Sequence, residues 1–253
     1  MKLEGRKLVL CMWYLSMGWG LIKHCRIDLE FALQSGLPMR FSTADISCLK
    51  ASSGRQKDEP KAIHPIYTSL YESGVDRKLV GLLSDVATFV DILNAIDTSS
   101  RLDPLDFSER AFSLLHRLIE YAPLGGPRPA NGVENILQLG LLAIMTTSLP
   151  NYTPEKVGYE MLANQLKSAI QNFSPTTDDE RKLVLWAVFV GHVSVMEESE
   201  DEWIVALVRE ICKDLGTCEW MQVRKVLGAY CWIHISHDKA AMKIWGKTRE
   251  RKD

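Results

Sequence analysis

The chain has 253 residues, 46% of them hydrophobic and 25% charged, with a formal charge of −2. Such a composition supports one large core or two small ones and excludes a disorder-dominated chain. The balance of 30 basic against 32 acidic residues supplies no general attraction to nucleic acid.

At the N-terminus, Lys2, Arg6 and Lys7 precede the uncharged apolar run Leu8–Ile22. The run is short of the ~20 residues that span a bilayer. A secretory signal is the alternative, with Gly18-Trp19-Gly20 offering small residues. Against it, the apolar pattern continues in helical phase through Ile27, Phe31 and Leu33, as though nothing is removed.

Helical periodicity then runs along the whole chain. Val75, Leu79, Leu82, Val86, Phe89, Leu93 and Ile96 recur every three or four residues. They predict one helix of about 22 residues with an apolar stripe and Asp76 in its first turn. Phe107 and Ser108 open a second segment, carrying Phe112, Leu115, Leu118 and Ile119 and ending at Ala122-Pro123. Glu134–Leu149 is the next helix, stopped by Pro150. Another begins at Pro154, a favourable first-turn residue, and ends near Phe173 before Pro175.

Thr177 or Asp178 can cap the following helix, which is apolar almost all round from Leu183 to Val190. A helix without a polar face must be enclosed, so this one is the predicted centre of the bundle. Trp203–Leu215 closes on Gly216 as a C-terminal cap. Two last helices, Glu219–Ile235 and His237–Lys247, are joined by a tight turn. No Asn-Gly or Asp-Gly hairpin separates alternating runs, so strands are not expected. Loops 50–61 and 123–132 are breaker-rich, and are expected to be exposed and mobile. The fold class is all-α: one irregular bundle of about eight to ten helices spanning 1–253.

Trp186, Trp203, Trp220, Trp232 and Trp245 recur 12 to 17 residues apart, a spacing that suits anchors of a packed bundle. Six cysteines (Cys11, Cys25, Cys48, Cys212, Cys218, Cys231) include no Cys-x-x-Cys. No zinc framework of ordinary spacing is present, and they read as reduced residues of an intracellular protein.

Four phrases carry a resemblance. They are RIDLEFALQSGLPMRF (26–41), with Asp28, Ala32, Pro38, Arg40 and Phe41; FSLLHRLIEYAP (112–123); LVLWAVFVGHVSV (183–195), with Trp186 and Gly191; and the closing stretch from Trp220 through Val226, Leu227, Trp232, His237 and Asp238 to Trp245. Together, in this order, they resemble the fungal-specific transcription-factor regulatory domain, the helical region that follows a zinc binuclear cluster. The resemblance implies a helical, non-enzymatic domain that relays a signal to a DNA-binding module, and a nuclear location, with the cytoplasm as the alternative. The family's paired Cys-x-x-Cys cluster is missing, and the first helix leaves no room for an upstream basic cluster. The chain is therefore not expected to bind DNA by itself. Its implied partners are related transcription factors or a second copy, and a small-molecule effector is compatible with a helical bundle.

Other chemistries were weighed on their residues. Cys231, His234 and His237 stand three apart beside Asp238, which on one helix would align potential zinc ligands. The plainer reading is a core cysteine and two histidines near a helix end. Asp178-Asp179-Glu180 invites comparison with a magnesium site of a helical terpenoid synthase. At a helix start, however, such acids complement the dipole. EESEDE (197–202) reads as solvated charge.

His24, His64, His116 and His192 are isolated in sequence. No nucleophile elbow or P-loop occurs, and Leu124-Gly125-Gly126-Pro127 lacks the lysine of one. KTRERK (247–252) reads as a basic helix end or a short nuclear-import patch. The expectation is no enzyme, no cofactor, no metal and no catalytic residue. A terpenoid-synthase-type enzyme or a generic helical scaffold are the alternatives.

Overall fold

The computed structural model of the chain describes residues 26–40, 65–96, 103–149, 158–197, 199, 201–217 and 219–250. The Leu8–Ile22 run, loop 50–61, Pro154, and Cys11, Cys25, Cys48 and Cys218 lie outside the described residues. Ten helices and no strand occur among those described: α1 (26–35), α2 (Pro65–Glu72), α3 (Arg77–Ala95), α4 (Pro104–Tyr121), α5 (Gly132–Thr146), α6 (Glu160–Gln171), α7 (Asp178–Ser194), α8 (Asp201–Asp214), α9 (Trp220–Tyr230) and α10 (His234–Arg249). No described helix is long and apolar enough to cross a membrane.

Helix α7 is at the centre, as its sequence requires. Every residue from Leu183 to Val190 is buried, and the helix packs against α5, α6, α8, α9 and α10. A second central helix accompanies it. Ile136 to Thr146 of α5 are all buried, including Gln138, and α5 lies against α3, α4, α6 and α7. The two meet where Gly140 faces Trp186. A methyl on Gly140 would fall 2.7 Å from indole Cη2, so only glycine admits the ring. The outer layers are the α2–α3–α4 group on the α5 side and the α8–α10 pair on the α7 side.

Helix starts follow side-chain chemistry. Asp76 is the N-cap of α3, accepting from the Lys78 N–H at 2.7 Å, and so precedes the first turn. Thr177 and Glu180 form a reciprocal capping box at α7. Helix α4 starts three residues before Phe107, at Pro104, which suits a position with no intrahelical N–H bond to make. In α1 the buried face is Leu29, Ala32 and Leu33, whereas Ile27 and Phe31 are 62% and 44% exposed. Ile27 and Phe31 therefore lie about half a turn away from the buried face that Leu33 shares.

Loop 123–132 differs from expectation. It is pinned rather than loose. The Gly125 N–H donates to the Gly36 carbonyl at 3.0 Å, with Gly36 at φ +70°. Arg128 donates to the Ala122 carbonyl (2.9 Å), to Asn135 Oδ1 (3.1 Å) and to Gln138 Oε1. Gln138, fully buried, completes the lock by donating to the Leu118 and Ala122 carbonyls. Asn131 caps α5 and reaches back to the Ser73 carbonyl at 2.8 Å. The breakers stop the helix, and the polar side chains then fix the turn.

Candidate functional site

The largest departure from the predicted elements is at residues 231–233. The expected continuous helix to Ile235 is broken there into an extended, buried link. Its backbone groups are taken by side chains from elsewhere. The Trp186 indole N–H donates to the Cys231 carbonyl at 2.8 Å, and Asn94 Nδ2 donates to the Trp232 carbonyl at 2.8 Å. Asn94 Oδ1 accepts from the His234 N–H at 2.9 Å, and His237 Nδ1 accepts from the Ile233 N–H at 3.3 Å. These tertiary bonds replace helical ones that the break removes.

Around this link the aromatics form a knot. Trp186 stacks on Tyr230 with centroids 5.3 Å apart, Phe189 meets Trp232 edge-on at 6.5 Å, and Trp220 touches both Phe189 (6.1 Å) and Trp245 (6.5 Å). Trp186 and Trp232 are fully buried, while Trp203, Trp220 and Trp245 are partly buried against the core. Trp232 sits in the link and not on a helix. Its indole N–H donates to Asp238 Oδ1 at 2.8 Å, and Asp238 Oδ2 accepts from Arg224 at 2.9 Å.

Cys231, His234 and His237 do not share one helix face, because Cys231 lies in the extended link while the two histidines are in α10. Burial pushes the Cys231 thiol well up, with Asp91 adding to the shift, so it is a poor thiolate. Burial lowers His237 to about 4, Asp238 opposing and His234 reinforcing the shift. Its Nε2 lies 3.1 Å from the Thr147 hydroxyl. No group of three or more His, Cys, Asp or Glu placed to hold a metal occurs among the described residues.

The acids at the start of α7 are likewise in structural bonds. Asp178 pairs with Arg181 (3.1 Å) and Asp179 with Lys182 (2.8 Å). Hydrogen bonding to Lys182 and Ser69 holds Asp179 below its usual range. Glu180 is raised by burial but lowered further by the Thr176 and Thr177 donors, for a net decrease.

A candidate ligand site among the described residues is a cleft that the sequence does not announce. It lies between the start of α6, the end of α7 and the middle of α10, with a volume near 680 Å³. That is within the range of small-molecule sites. Tyr159, Glu160, Lys167, His192, Met196 and Lys243 stand around it. Burial raises the Tyr159 phenol to about 12, with Glu30 adding and Arg26 opposing. Lys167 Nζ is 5.8 Å from the Trp203 ring centroid, a cation–π geometry.

A smaller cleft of about 410 Å³ is lined by Phe173, Pro175, Arg181, Trp203, Leu207 and Asp214. Both are lined by charged and apolar side chains together. His192 thus joins a cleft, while His116 is buried in α4 beside Glu120 at 3.5 Å. His24 and His64 lie outside the described residues. Comparison with protein-family models, curated proteins and solved structures finds no match to the chain.

Proposed function

We propose that the chain is a non-enzymatic regulatory and interaction domain of the kind found in fungal zinc-cluster transcription factors, acting without a DNA reader of its own. The observation that carries this reading is how the resembling phrases interlock. Asp28 accepts the Arg40 N–H through both oxygens (3.1 and 2.9 Å), closing the Pro38 turn of the first phrase. Trp186 of the third phrase holds the link within the fourth, and Trp232 and Asp238 of the fourth hold each other. Matching residues of the third and fourth phrases are thereby partners in one core, and those of the first close a turn, which supports the resemblance.

The mechanism on this reading is a population shift. An effector in the cleft, or a protein partner, favours one packing of α6, α7 and α10, and the bias cannot exceed its difference in affinity between packings. The domain then acts in the nucleus by pairing with related full-length regulators or with itself. On this reading Asp179 and His237 are structural, their polar atoms held by lysine, backbone and hydroxyl partners, and Cys231 is a buried thiol that burial keeps protonated.

The test is genetic and biochemical together. Loss of the gene should change transcript levels of a defined gene set, and the tagged chain should co-purify from nuclei with zinc-cluster regulators. An unchanged transcriptome with an extranuclear protein overturns the reading.

A further inference from the structure

Helices α9 and α10 run antiparallel, as Trp220 meets Trp245 at 6.5 Å and Arg224 pairs with Asp238 at 2.9 Å. Advancing 100° per residue from those contacts places Met221, Lys225 and Gly228 on the outer flank of α9 facing α10. The same construction places Ile235, Lys239, Met242 and Gly246 on the outer flank of α10 facing α9. Met221, Ile235 and Met242 are 63%, 74% and 53% exposed, three large apolar side chains on one surface. A Cβ added to Gly228 or Gly246 would meet nothing within 4 Å, so both leave their helix surfaces bare. The result is a shallow trough along the α9–α10 seam, flanked by methionine and isoleucine with open glycine positions beside them.

The charge on this surface decides what it fits. Lys225, Lys239 and Arg249 are exposed around the trough. Of the acids on the same two helices, Asp238 is tied to Arg224 and Trp232, and Glu219 is used in the capping box of α9; Glu250 stands at the far end of α10. The trough is therefore locally basic on a chain whose formal charge is −2.

We propose that the α9–α10 trough is a docking site for an acidic amphipathic helix supplied by a partner protein. Its apolar ridge would lie on Met221, Ile235 and Met242, and its carboxylates would meet Lys225 and Lys239. Flexible methionines suit a surface that accepts helices of differing sequence. A symmetric pair of copies would set this basic surface against itself, with like charges opposed. The inference goes beyond the transcriptional reading and holds whether or not that reading does.

The test uses the full chain and a fluorescein-labelled synthetic peptide of about 18 residues, five helical turns, with leucine on one face and glutamate elsewhere. Controls are a scramble of the same composition and a version with glutamate replaced by lysine. Fluorescence anisotropy should show micromolar binding of the acidic helix, with both controls at least about tenfold weaker. Met242→Asp and Ile235→Asp should each weaken it about tenfold or more while the melting temperature stays put, both side chains being more than half exposed. Lys239→Glu should shift preference towards the lysine peptide. Equal binding of the scramble, or undiminished binding to Met242→Asp, overturns the proposal. So does a dimer of the chain alone in sedimentation equilibrium that Met242→Asp disperses, since a second copy would then be the occupant.

Discussion

Replacing Trp232 by phenylalanine isolates what holds the 231–233 link. The ring is 1% exposed, so most of its apolar burial survives the change. What is lost is the indole donor to Asp238 and part of the ring's volume. A hydrogen bond to a charged group contributes about 1.5–3 kcal/mol. The low end applies here, because Asp238 keeps Arg224 at 2.9 Å and its side chain is 25% exposed. The reduced fit against Phe189 and His237 costs about 1 kcal/mol more. The sum is roughly 2–3 kcal/mol, equivalent to a fall of about 4–12 °C in Tm for a chain of this size. Truncation to alanine should lose about 3–5 kcal/mol. The decisive assay is a double-mutant cycle with Asp238→Asn by urea denaturation. Coupling of about 1–1.5 kcal/mol between Trp232→Phe and Asp238→Asn is expected. Additivity within about 0.3 kcal/mol would show that the indole bond contributes nothing, and the account of the link would fail.

Four further outcomes follow from particular contacts. Gly140→Ala should destabilise by about 1–2 kcal/mol, overpacking against Trp186 outweighing the gain in helix propensity, whereas Gly81→Ala in α3, with nothing near its Cβ, should stabilise by about 0.5–1; paired thermal melts read the opposite signs. Arg128→Ala strips donors from the Ala122 carbonyl, Asn135 and buried Gln138, and should cost about 2–4 kcal/mol in urea denaturation, with lysine no substitute for the three-way fork.

Thr177→Ala should cost about 1 kcal/mol as a lost cap, and magnesium with a prenyl diphosphate should leave the melting of wild type and variant unmoved; a magnesium-dependent rise would restore the terpenoid reading. His237, lowered to about 4 when folded against the ordinary 6.5, is neutral in the fold while the unfolded chain takes up a proton. Its contribution is complete above about pH 6.5 and is lost as pH falls towards 4, by up to about 3 kcal/mol; in His237→Gln the urea midpoint should vary less over that window.

The helices were legible because periodicity is a local property that burial enforces. Leu183–Val190 required an enclosed position and has one. What local pattern could not supply was competition from distant groups. Nothing near Cys231 signals that Asn94, Trp186 and His237 will claim the backbone of 231–233, so the helix was extended across it. The same blindness applies to loop 123–132. Its prolines and glycines correctly mark a break, but its fixity comes from Arg128 and Gln138, a pairing visible only once α4 and α5 lie side by side. The central place of α5 has a related origin, since Gln138 is polar in sequence yet buried with its amide fully used.

The candidate site was still less legible, and for a geometric reason. Lys167, His192 and Lys243 come from three helices separated by long stretches of sequence, and none belongs to a recognisable motif. Residues that did look chemical turned out to be bound up in structure: Asp179 in an ion pair, His237 between Thr147 and the Ile233 N–H, and Cys231 in the core. A titratable side chain whose polar atoms are already engaged in structure has little to offer a substrate. Helix α10 joins the cleft to the outer surface. One end is fixed by the knot, Ala240 and Lys243 reach the cleft, and Ile235, Lys239 and Met242 face outward. Any movement of α10 about the 231–233 link would change the cleft and the outer surface together.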